Sequence, residues 1–345
     1  MFFREEPVGF FVMNRFRGGF FMAKEVKTIG VLTSGGDAPG MNAAVRAVVR
    51  TALGHGMRVI GIQRGFNGLL NGETYEMNLR SVSEIIHRGG TVLYTARCLE
   101  FKTEEGQRKG AEMCEKLGID ALVVIGGDGS FRGAKALANL GIPCIGIPGT
   151  IDNDIACSEY TIGYDTAMNT AVEMVDKLRD TTQSHDRCSV VEVMGRNAGY
   201  IALNVGIATG AIATLIPERP YDLERDILER MQFTQKTGKK HFIVIVAEGA
   251  GHAQDLANEI QARTGIDSRA TVLGHVQRGG SPTLRDRVTA SRMGYQAVIL
   301  LEKGIFNRVV AVSADKIVDY DINVALSMHK SIDTTLLDVA ETISI

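Results

Sequence analysis

From about residue 26 onward, the chain alternates short apolar runs with amphipathic stretches, and this alternation restricts its fold more than any other feature. The run Ala121–Ile125 (Ala-Leu-Val-Val-Ile) is typical of a buried strand. The stretch Met41–Leu53 repeats apolar residues three and four positions apart, the spacing of a helix with one buried face. The same pattern predicts a short helix that starts at Ser83–His87, a helix over Leu223–Phe233 and a long helix over Pro282–Leu301. Such alternation predicts parallel sheets with helices on both faces.

Three glycine-rich turns carry acidic residues where predicted strands end. They span Leu32–Met41, Ile125–Ser130 and Pro148–Asp154. In open α/β sheets, ligands bind outside the carboxyl ends of the strands. Glycine lets the backbone approach a ligand, and amides at a helix start attract anions. Phosphate-binding amides beside carboxylates that hold a metal or take a proton predict phosphoryl transfer.

The carboxylates of these turns have two interpretations each. Asp128 lies between glycines, where it is suited to bind Mg²⁺, although a tight turn alone can also require the glycines. Asp152 and Asp154 lie two residues apart, so one of them can serve as a base for a hydroxyl proton. In the structural alternative, both carboxylates cap local turns.

Arginines beside turns are candidates for binding a sugar phosphate, because the guanidinium fork matches phosphate oxygens. The candidates are Arg187, Arg196, Arg269 and Arg278. Taken singly, an arginine is more often a solvated surface charge, and His275 has the alternative of a structural histidine.

Length, net charge and cysteine content further restrict the kind of protein that this chain can be. A chain of 345 residues is long enough for two domains. Its net charge of -2 gives no long-range attraction to nucleic acid or to an anionic membrane. The five cysteines have no paired spacing, which predicts reduced thiols and a cytoplasmic location. No apolar run reaches the roughly 20 residues of a membrane helix.

The first 21 residues, Met1–Phe21, are rich in Phe, Arg and Gly and have neither a helical nor a strand period. They lack the sustained apolar core of a signal peptide. Codons for Gly18-Gly19 can spell a ribosome-binding site, so we hypothesise that Met22 is the native start; the alternative is a genuine N-terminal arm. Mass spectrometry of the native protein distinguishes the two. We predict that residues 1–23 form a disordered extension.

Six motifs together resemble those of bacterial-type ATP-dependent 6-phosphofructokinases, and the likeness extends from about Lys24 over nearly the whole chain. The motifs are Leu32–Asn42, Arg88–Thr91, Ala121–Ser130, Pro148–Ile155, Val190–Arg196 and Val272–Pro282. The resemblance implies two similar doubly wound three-layer α/β/α domains with mostly parallel sheets. The larger, ATP-binding domain would comprise residues 24–163 and 277–327, and the smaller, fructose 6-phosphate domain residues 164–276 and 328–345.

The resemblance also implies a role for each matching residue. It assigns ATP contacts to Gly35, Arg97, Cys98, Gly127, Asp128, Gly129 and Ser130, with Mg²⁺ on Asp128. It assigns the proton acceptor to Asp152. It assigns fructose 6-phosphate contacts to Thr150, Ile151, Asp152, Met194, Gly195, Arg196, Glu248, His275, Val276, Gln277 and Arg278. Arg187 and Arg269 match arginines that reach a neighbouring subunit's site, which implies a homotetramer.

Two glycines bear on the phosphoryl donor. Pyrophosphate-using relatives carry an acidic residue at the position of Gly129 and a lysine at that of Gly149. A carboxylate there would repel the α-phosphate of ATP, so we expect activity with ATP to far exceed activity with pyrophosphate.

The effector site departs from the family pattern. The resemblance implies a second site for ADP or phosphoenolpyruvate at Arg46, Arg50, Arg80, Glu84, Arg179, Gly210, Ile212, Thr237, Lys239, Lys240 and His241. Ile212 stands where well-known members carry a metal-holding glutamate, and Thr237 where some carry a basic residue. We therefore expect weak or absent activation by Mg-ADP.

Two other functions compete with this interpretation. Lipid and NAD kinases share Gly-Gly-Asp-Gly but lack the Pro148–Asp154 loop and the His275–Ser281 segment. A catalytically inactive, nucleotide-sensing paralogue is expected to lose at least one active-site residue, whereas Asp128, Asp152 and the candidate arginines are all present.

Overall fold

The computed structural model describes residues 25–333 and 335–344, so the predicted N-terminal extension and the proposed start at Met22 lie outside the described residues. Strands and helices alternate along this part of the chain. Their order is β1 (Thr28–Ser34), α1 (Met41–Gly54), β2 (Arg58–Ile62), α2 (Gly65–Asn71), β3 (Thr74–Met77), α3 (Glu104–Lys116), β4 (Ala121–Gly126), α4 (Asp128–Asn139), β5 (Cys144–Pro148), α5 (Tyr164–Ser184), β6 (Cys188–Val193), α6 (Tyr200–Thr209), β7 (Ala213–Leu215), α7 (Glu229–Gln235), β8 (Phe242–Ala247), α8 (Ala253–Thr264), β9 (Ser268–Val272), α9 (Leu284–Glu302), β10 (Arg308–Ser313), β11 (Lys316–Asp321), α10 (Ile322–Ser327) and α11 (Thr335–Ile343).

The strands form two sheets. The larger has the order β11-β10-β5-β4-β1-β2-β3, in which only the edge strands β3 and β11 pair antiparallel. The smaller has the order β7-β8-β6-β9 and is parallel throughout. The predicted α/β class with mostly parallel sheets is confirmed.

Helices cover both faces of the larger sheet, which explains its continuous apolar strands. On β1, Ile29 and Val31 belong to the core that includes residues of α1 and α9. Leu32, on the opposite face, belongs to a second core with residues of α2, α3 and α4.

The smaller sheet is covered in the same way. Val191 of β6 belongs to the core that also contains α1 and α6, whereas Val190 packs with apolar residues of α8. The C-terminal helix α11 packs against α6 and β7. We propose that the two sheets mark the two predicted domains, whose boundaries stay a prediction.

Three predicted elements differ from the structure. Ser83–His87 lies in turns, because Glu84 adopts a left-handed backbone with φ 54° that a right-handed helix excludes. The long helix begins at Leu284 rather than at Pro282, since the Thr283 hydroxyl caps it by accepting from the Asp286 amide. The helix predicted over Leu223–Phe233 starts as a π-helix, Glu224–Leu228, before α7.

The sequence also allows predictions about cysteine pairing and membrane-spanning helices. All five cysteines are unpaired, as their spacing indicates. Within residues 25–333 and 335–344, no helix combines the length and apolar character needed to span a bilayer.

A buried carboxylate joins α9 to the start of α5. Asp286, which is fully buried, accepts hydrogen bonds from the Gly163 amide at 2.7 Å, the Thr166 amide at 2.9 Å and the Tyr160 hydroxyl at 2.5 Å. We predict that Asp286→Asn lowers the free energy of unfolding by about 3 kcal/mol, because its amide group would turn a donor toward donors. Urea unfolding followed by circular dichroism measures this loss. The exposed Asp176 of α5 offers the control Asp176→Asn; equal losses in both variants would contradict the prediction.

Candidate active site

A cleft of about 520 Å³ opens at the carboxyl ends of β1, β4 and β5. These strands end at Ser34, Gly126 and Pro148, immediately before or within the three glycine-rich turns. Parallel pairing of β1 with β4 and of β4 with β5 brings the turns to one edge of the sheet. The cleft is therefore where the sequence predicts a ligand.

The Gly126–Ser130 turn leads from β4 into α4. A Cβ at Gly126 would lie 2.4 Å from the Ser34 carbonyl oxygen, so this glycine is required for close packing. At Gly127 and Gly129 an added Cβ would meet nothing within 4 Å, and both glycines line the cleft. The first-turn amides of α4 therefore begin at an accessible surface, which suits a phosphate.

The residues that the resemblance assigns to ATP come together here. Those that line the cleft are Gly35, Arg97, Cys98, Gly127, Asp128, Gly129 and Ser130. Gly35 has a left-handed φ of 89°, and its carbonyl accepts a hydrogen bond from the Thr95 hydroxyl at 2.7 Å. The predicted set thus shares one surface, although its contacts with ATP stay a prediction.

An aromatic wall of the cleft escaped sequence reasoning. Phe66 and Phe101 stack with ring centroids 4.2 Å apart, and both line the cleft. A Cβ at Gly133 would lie 2.7 Å from the Phe66 ring, so this glycine makes room for the stack. The two rings come from distant segments, so no local sequence pattern indicates them.

Asp152 is a buried carboxylate beside an arginine. It is 1% exposed, and its Oδ2 lies 3.3 Å from Arg196 Nε. Burial raises the pKa of Asp152, and the charge of Asp154 raises it further, while Arg196 and Arg278 act in the opposite direction. A carboxylate with a raised pKa is suited to accept a proton.

Three buried polar atoms near this carboxylate have no hydrogen-bond partner within the described part of the chain. They are Asp152 Oδ1, Gln277 Nε2 and Arg278 Nε. Buried polar atoms in native proteins nearly always have a partner. Arg278 lines the cleft and Asp152 contacts the cleft-lining Arg196, so these atoms indicate a site for a polar ligand.

The turn Met194–Arg196 follows β6 and is held through its backbone. Glu248 Oε1 accepts hydrogen bonds from the Gly195 and Arg196 amides at 3.1 and 2.6 Å, and Gln277 Oε1 accepts from the Met194 amide at 2.9 Å. Gly195 and Arg196 both have positive φ, of 145° and 54°. Glu248 and Gln277 therefore hold the backbone of the turn that carries Arg196, a role that sequence reasoning missed.

The remaining candidate sugar contacts differ in accessibility. Thr150 and Arg278 line the cleft with Arg196. Ile151 is fully buried. His275 and Val276 are exposed in the short turn after β9.

Arg187 and Arg269 lie away from this cleft. Arg187 precedes β6, whereas Met194 follows it, and a six-residue strand spans about 20 Å. Both arginines pair with Asp267, Arg187 Nε at 2.5 Å and Arg269 Nε at 3.0 Å. Burial alone would raise the pKa of Asp267, but the hydrogen bond from Arg187 and the charge of Arg269 lower it. Within one chain, these arginines therefore lie on a different surface from the cleft.

Two of the candidate effector residues, Arg46 and Lys239, each lie near another cation. Burial and the neighbouring Arg50 lower the pKa of Arg46, which Glu84 partly offsets. Burial and Arg179 lower the pKa of Lys239. Clustered cations whose pKa values fall in this way suit an anion.

The other effector positions differ in burial and in their contacts. Ile212 is fully buried in an apolar core, and the Thr237 hydroxyl donates to the Thr234 carbonyl. Gly210 caps α6 in a left-handed conformation, and the amide of Arg80 donates to the Asn78 side chain. Lys240 is exposed. Burial lowers the pKa of His241, and the charge of Lys239 lowers it further.

The carboxylates that line the cleft fit Mg²⁺ only if other groups complete its coordination. Asp128 and Asp154 line the cleft, and the Asp128 carboxylate pairs with Arg132 at 2.9 Å. Among the described residues, no group of three or more His, Cys, Asp and Glu side chains is arranged to hold a metal. Mg²⁺ usually binds through one or two carboxylates together with water and substrate phosphates.

Known proteins resemble the chain over most of its length. The Phosphofructokinase family model matches residues 28–301. An "ATP-dependent 6-phosphofructokinase" of Clostridium botulinum is 57% identical over 319 residues, which cover 92% of this chain and 100% of the relative.

Solved structures agree with this match. The phosphofructokinase of Saccharomyces cerevisiae superposes with a TM-score of 0.82 at 37% identity, and that of Pichia pastoris, solved in the T-state, with 0.84 at 34%. They cover 92% and 93% of this chain, which spans only 48% and 37% of theirs. The chain belongs to the phosphofructokinase family.

Proposed function

We propose that this protein is an ATP-dependent 6-phosphofructokinase, which transfers the γ-phosphoryl group of ATP to the 1-hydroxyl of fructose 6-phosphate in glycolysis. The observation that carries the proposal is the buried Asp152 carboxylate: within the described residues its Oδ1 has no hydrogen-bond partner, and its Oδ2 lies 3.3 Å from Nε of Arg196, which lines the glycine-rich cleft. The name of the Clostridium relative, which matches over its full length, supports it. We further propose a cytoplasmic location.

In the proposed reaction, Asp152 accepts the proton of the sugar 1-hydroxyl. The hydroxyl oxygen forms a bond to the γ-phosphorus, the bond from that phosphorus to the β–γ bridging oxygen breaks, and ADP leaves with the electron pair. Arg196 holds the Asp152 carboxylate in place before the transfer. Glu248 fixes the Arg196 backbone and so the position of its guanidinium.

The nucleotide side is proposed to bind through the glycine turn. Gly127, Gly129 and Ser130 present backbone and hydroxyl groups at the start of α4, where anions are favoured. Asp128 would hold Mg²⁺, which when bound neutralises charge on the phosphates. Asp154 lines the same cleft and offers a second carboxylate.

We propose that two chains build each active site within a homotetramer. Arg187 and Arg269 lie together on Asp267, at the opposite end of β6 from Arg196. The arginine forks match a sugar phosphate, so in the proposed assembly they serve the cleft of a neighbouring subunit.

The effector site is proposed to bind anions but to respond weakly to Mg-ADP. Ile212 is buried in an apolar core and has no group that coordinates a metal. We predict that a titration with ADP at subsaturating fructose 6-phosphate raises the rate less than twofold, since a lost charge-assisted contact costs about 1.5–3 kcal/mol. The same titration with phosphoenolpyruvate is the comparison. Strong activation by ADP would contradict the prediction.

A steady-state assay of ADP release, with and without fructose 6-phosphate, tests the proposed function against its alternatives. A phosphofructokinase releases ADP only with the sugar phosphate. An inactive nucleotide-sensing paralogue releases none in either case, and a lipid or NAD kinase requires a different acceptor.

A further inference from the structure

Lys330 reaches the Asp152–Asp154 loop from the segment between α10 and α11. Its ammonium donates hydrogen bonds to the Asn153 carbonyl at 2.7 Å and to the Ser158 carbonyl at 2.8 Å. One side chain thus joins two points of the loop that follows β5.

The same ammonium also contacts the element that follows the Arg196 turn. Lys330 Nζ lies 4.8 Å from the centroid of the Tyr200 ring, a cation–π distance. Tyr200 is the first residue of α6, so Lys330 connects the loop of the proposed base with the segment that leads from the proposed sugar-binding turn.

The central residue of the loop has a left-handed backbone. Asn153, between the two aspartates, is buried and has a left-handed φ of 53°. Non-glycine residues persist in this region only when the surroundings hold them there. Lys330 holds the Asn153 backbone carbonyl, and the Asn153 side chain donates to the Glu159 carbonyl at 3.2 Å.

Burial disfavours the charged form of the Lys330 ammonium and restricts the groups that it can contact. Burial lowers the pKa of Lys330 to about 8, while electrostatic interactions with Asp154, Cys157 and Glu159 oppose this. In return, the Lys330 charge helps to lower the pKa of Asp154 against the effect of burial. A partly buried cation with two short hydrogen bonds to one loop constrains that loop more than a solvated lysine does.

We propose that Lys330 is a positioning residue for phosphoryl transfer: it fixes the backbone between Asp152 and Asp154 against the start of α6, so that the base meets the sugar hydroxyl. This inference rests on the proposed function. It gives the C-terminal segment a role in catalysis although Lys330 touches no substrate.

Lys330→Met tests the proposal because it keeps the length of the side chain and removes its donors and charge. We expect kcat to fall at least tenfold, with KM for fructose 6-phosphate and for ATP changed less than twofold. Lys330→Arg, which restores a cation with several donors, should bring kcat to within threefold of the wild type. The exposed Lys316 of β11 provides the matched control Lys316→Met, for which we expect no change in kcat.

A merely structural role would lower the unfolding temperature of Lys330→Met and leave kcat unchanged, and this result would overturn the proposal. Failure of Lys330→Arg to recover activity beyond the Met variant would overturn it as well. If Lys330→Met does not fold, Lys330→Gln keeps one donor and is judged by the same kcat and KM criteria. An active wild type with an unchanged variant refutes this inference alone, whereas an inactive wild type refutes the proposed function with it.

Discussion

Asp152→Asn is expected to lower kcat by about 10²–10⁴-fold, because a positioned general base contributes that much to the rate. The amide has the size of the carboxylate but cannot accept the hydroxyl proton. Asp152 is buried and contacts Arg196. Steady-state rates at saturating fructose 6-phosphate and ATP measure the loss.

The pH dependence of the wild type follows from the same residue. The base must be ionised, and burial together with Asp154 raises its pKa above 3.8, the ordinary value for aspartate. Activity should therefore be lost as the pH falls through this raised pKa. The residual rate of Asp152→Asn should not show this loss at acidic pH. Asp180→Asn, on the exposed surface of α5, is the matched control. A folded Asp152→Asn enzyme with full turnover would refute the role of the base.

Gly129→Asp should lower kcat/KM for ATP by about 100-fold or more, since placing like charges together costs several kcal/mol. Gly129 lines the cleft, and a Cβ there meets nothing within 4 Å, so the substitution brings in a charge without a steric clash. By contrast, a side chain at Gly149 begins 3.1 Å from Met41 Cε and forces repacking. Gly129 is therefore the cleaner position at which to test donor choice.

Gly129→Ala separates charge from bulk, because it adds the same Cβ without the carboxylate. We expect this variant to keep its activity with ATP to within threefold. Rates with ATP and with pyrophosphate at equal concentration complete the comparison for each variant. Equal losses in the Ala and Asp variants would show that space, not charge, governs the donor.

Local sequence patterns predicted the turn residues of the cleft well. A buried strand followed by Gly-Gly-Asp-Gly-Ser fixes where the chain turns, and parallel pairing then brings the ends of β1, β4 and β5 to one edge. For this reason Gly127, Asp128 and Ser130 line the cleft as a group.

Contacts between distant segments were not accessible in this way. The Asp152–Asp154 loop has no basic neighbour in the sequence, yet packing of the two sheets brings Arg196 and Lys330 to it. Glu248 likewise acts on the backbone of a turn that belongs to another strand. Such partners depend on how the sheets and the C-terminal segment pack, which no periodicity records.

Transfer of the phosphoryl group itself tests the central claim most directly. Wild-type protein is incubated with Mg²⁺, ATP and fructose 6-phosphate, and ³¹P NMR follows the appearance of a phosphate ester on the sugar 1-position. We predict one fructose 1,6-bisphosphate for each ADP formed, and no ADP without the sugar. Formation of ADP with inorganic phosphate instead of the bisphosphate, or no reaction, would contradict the account.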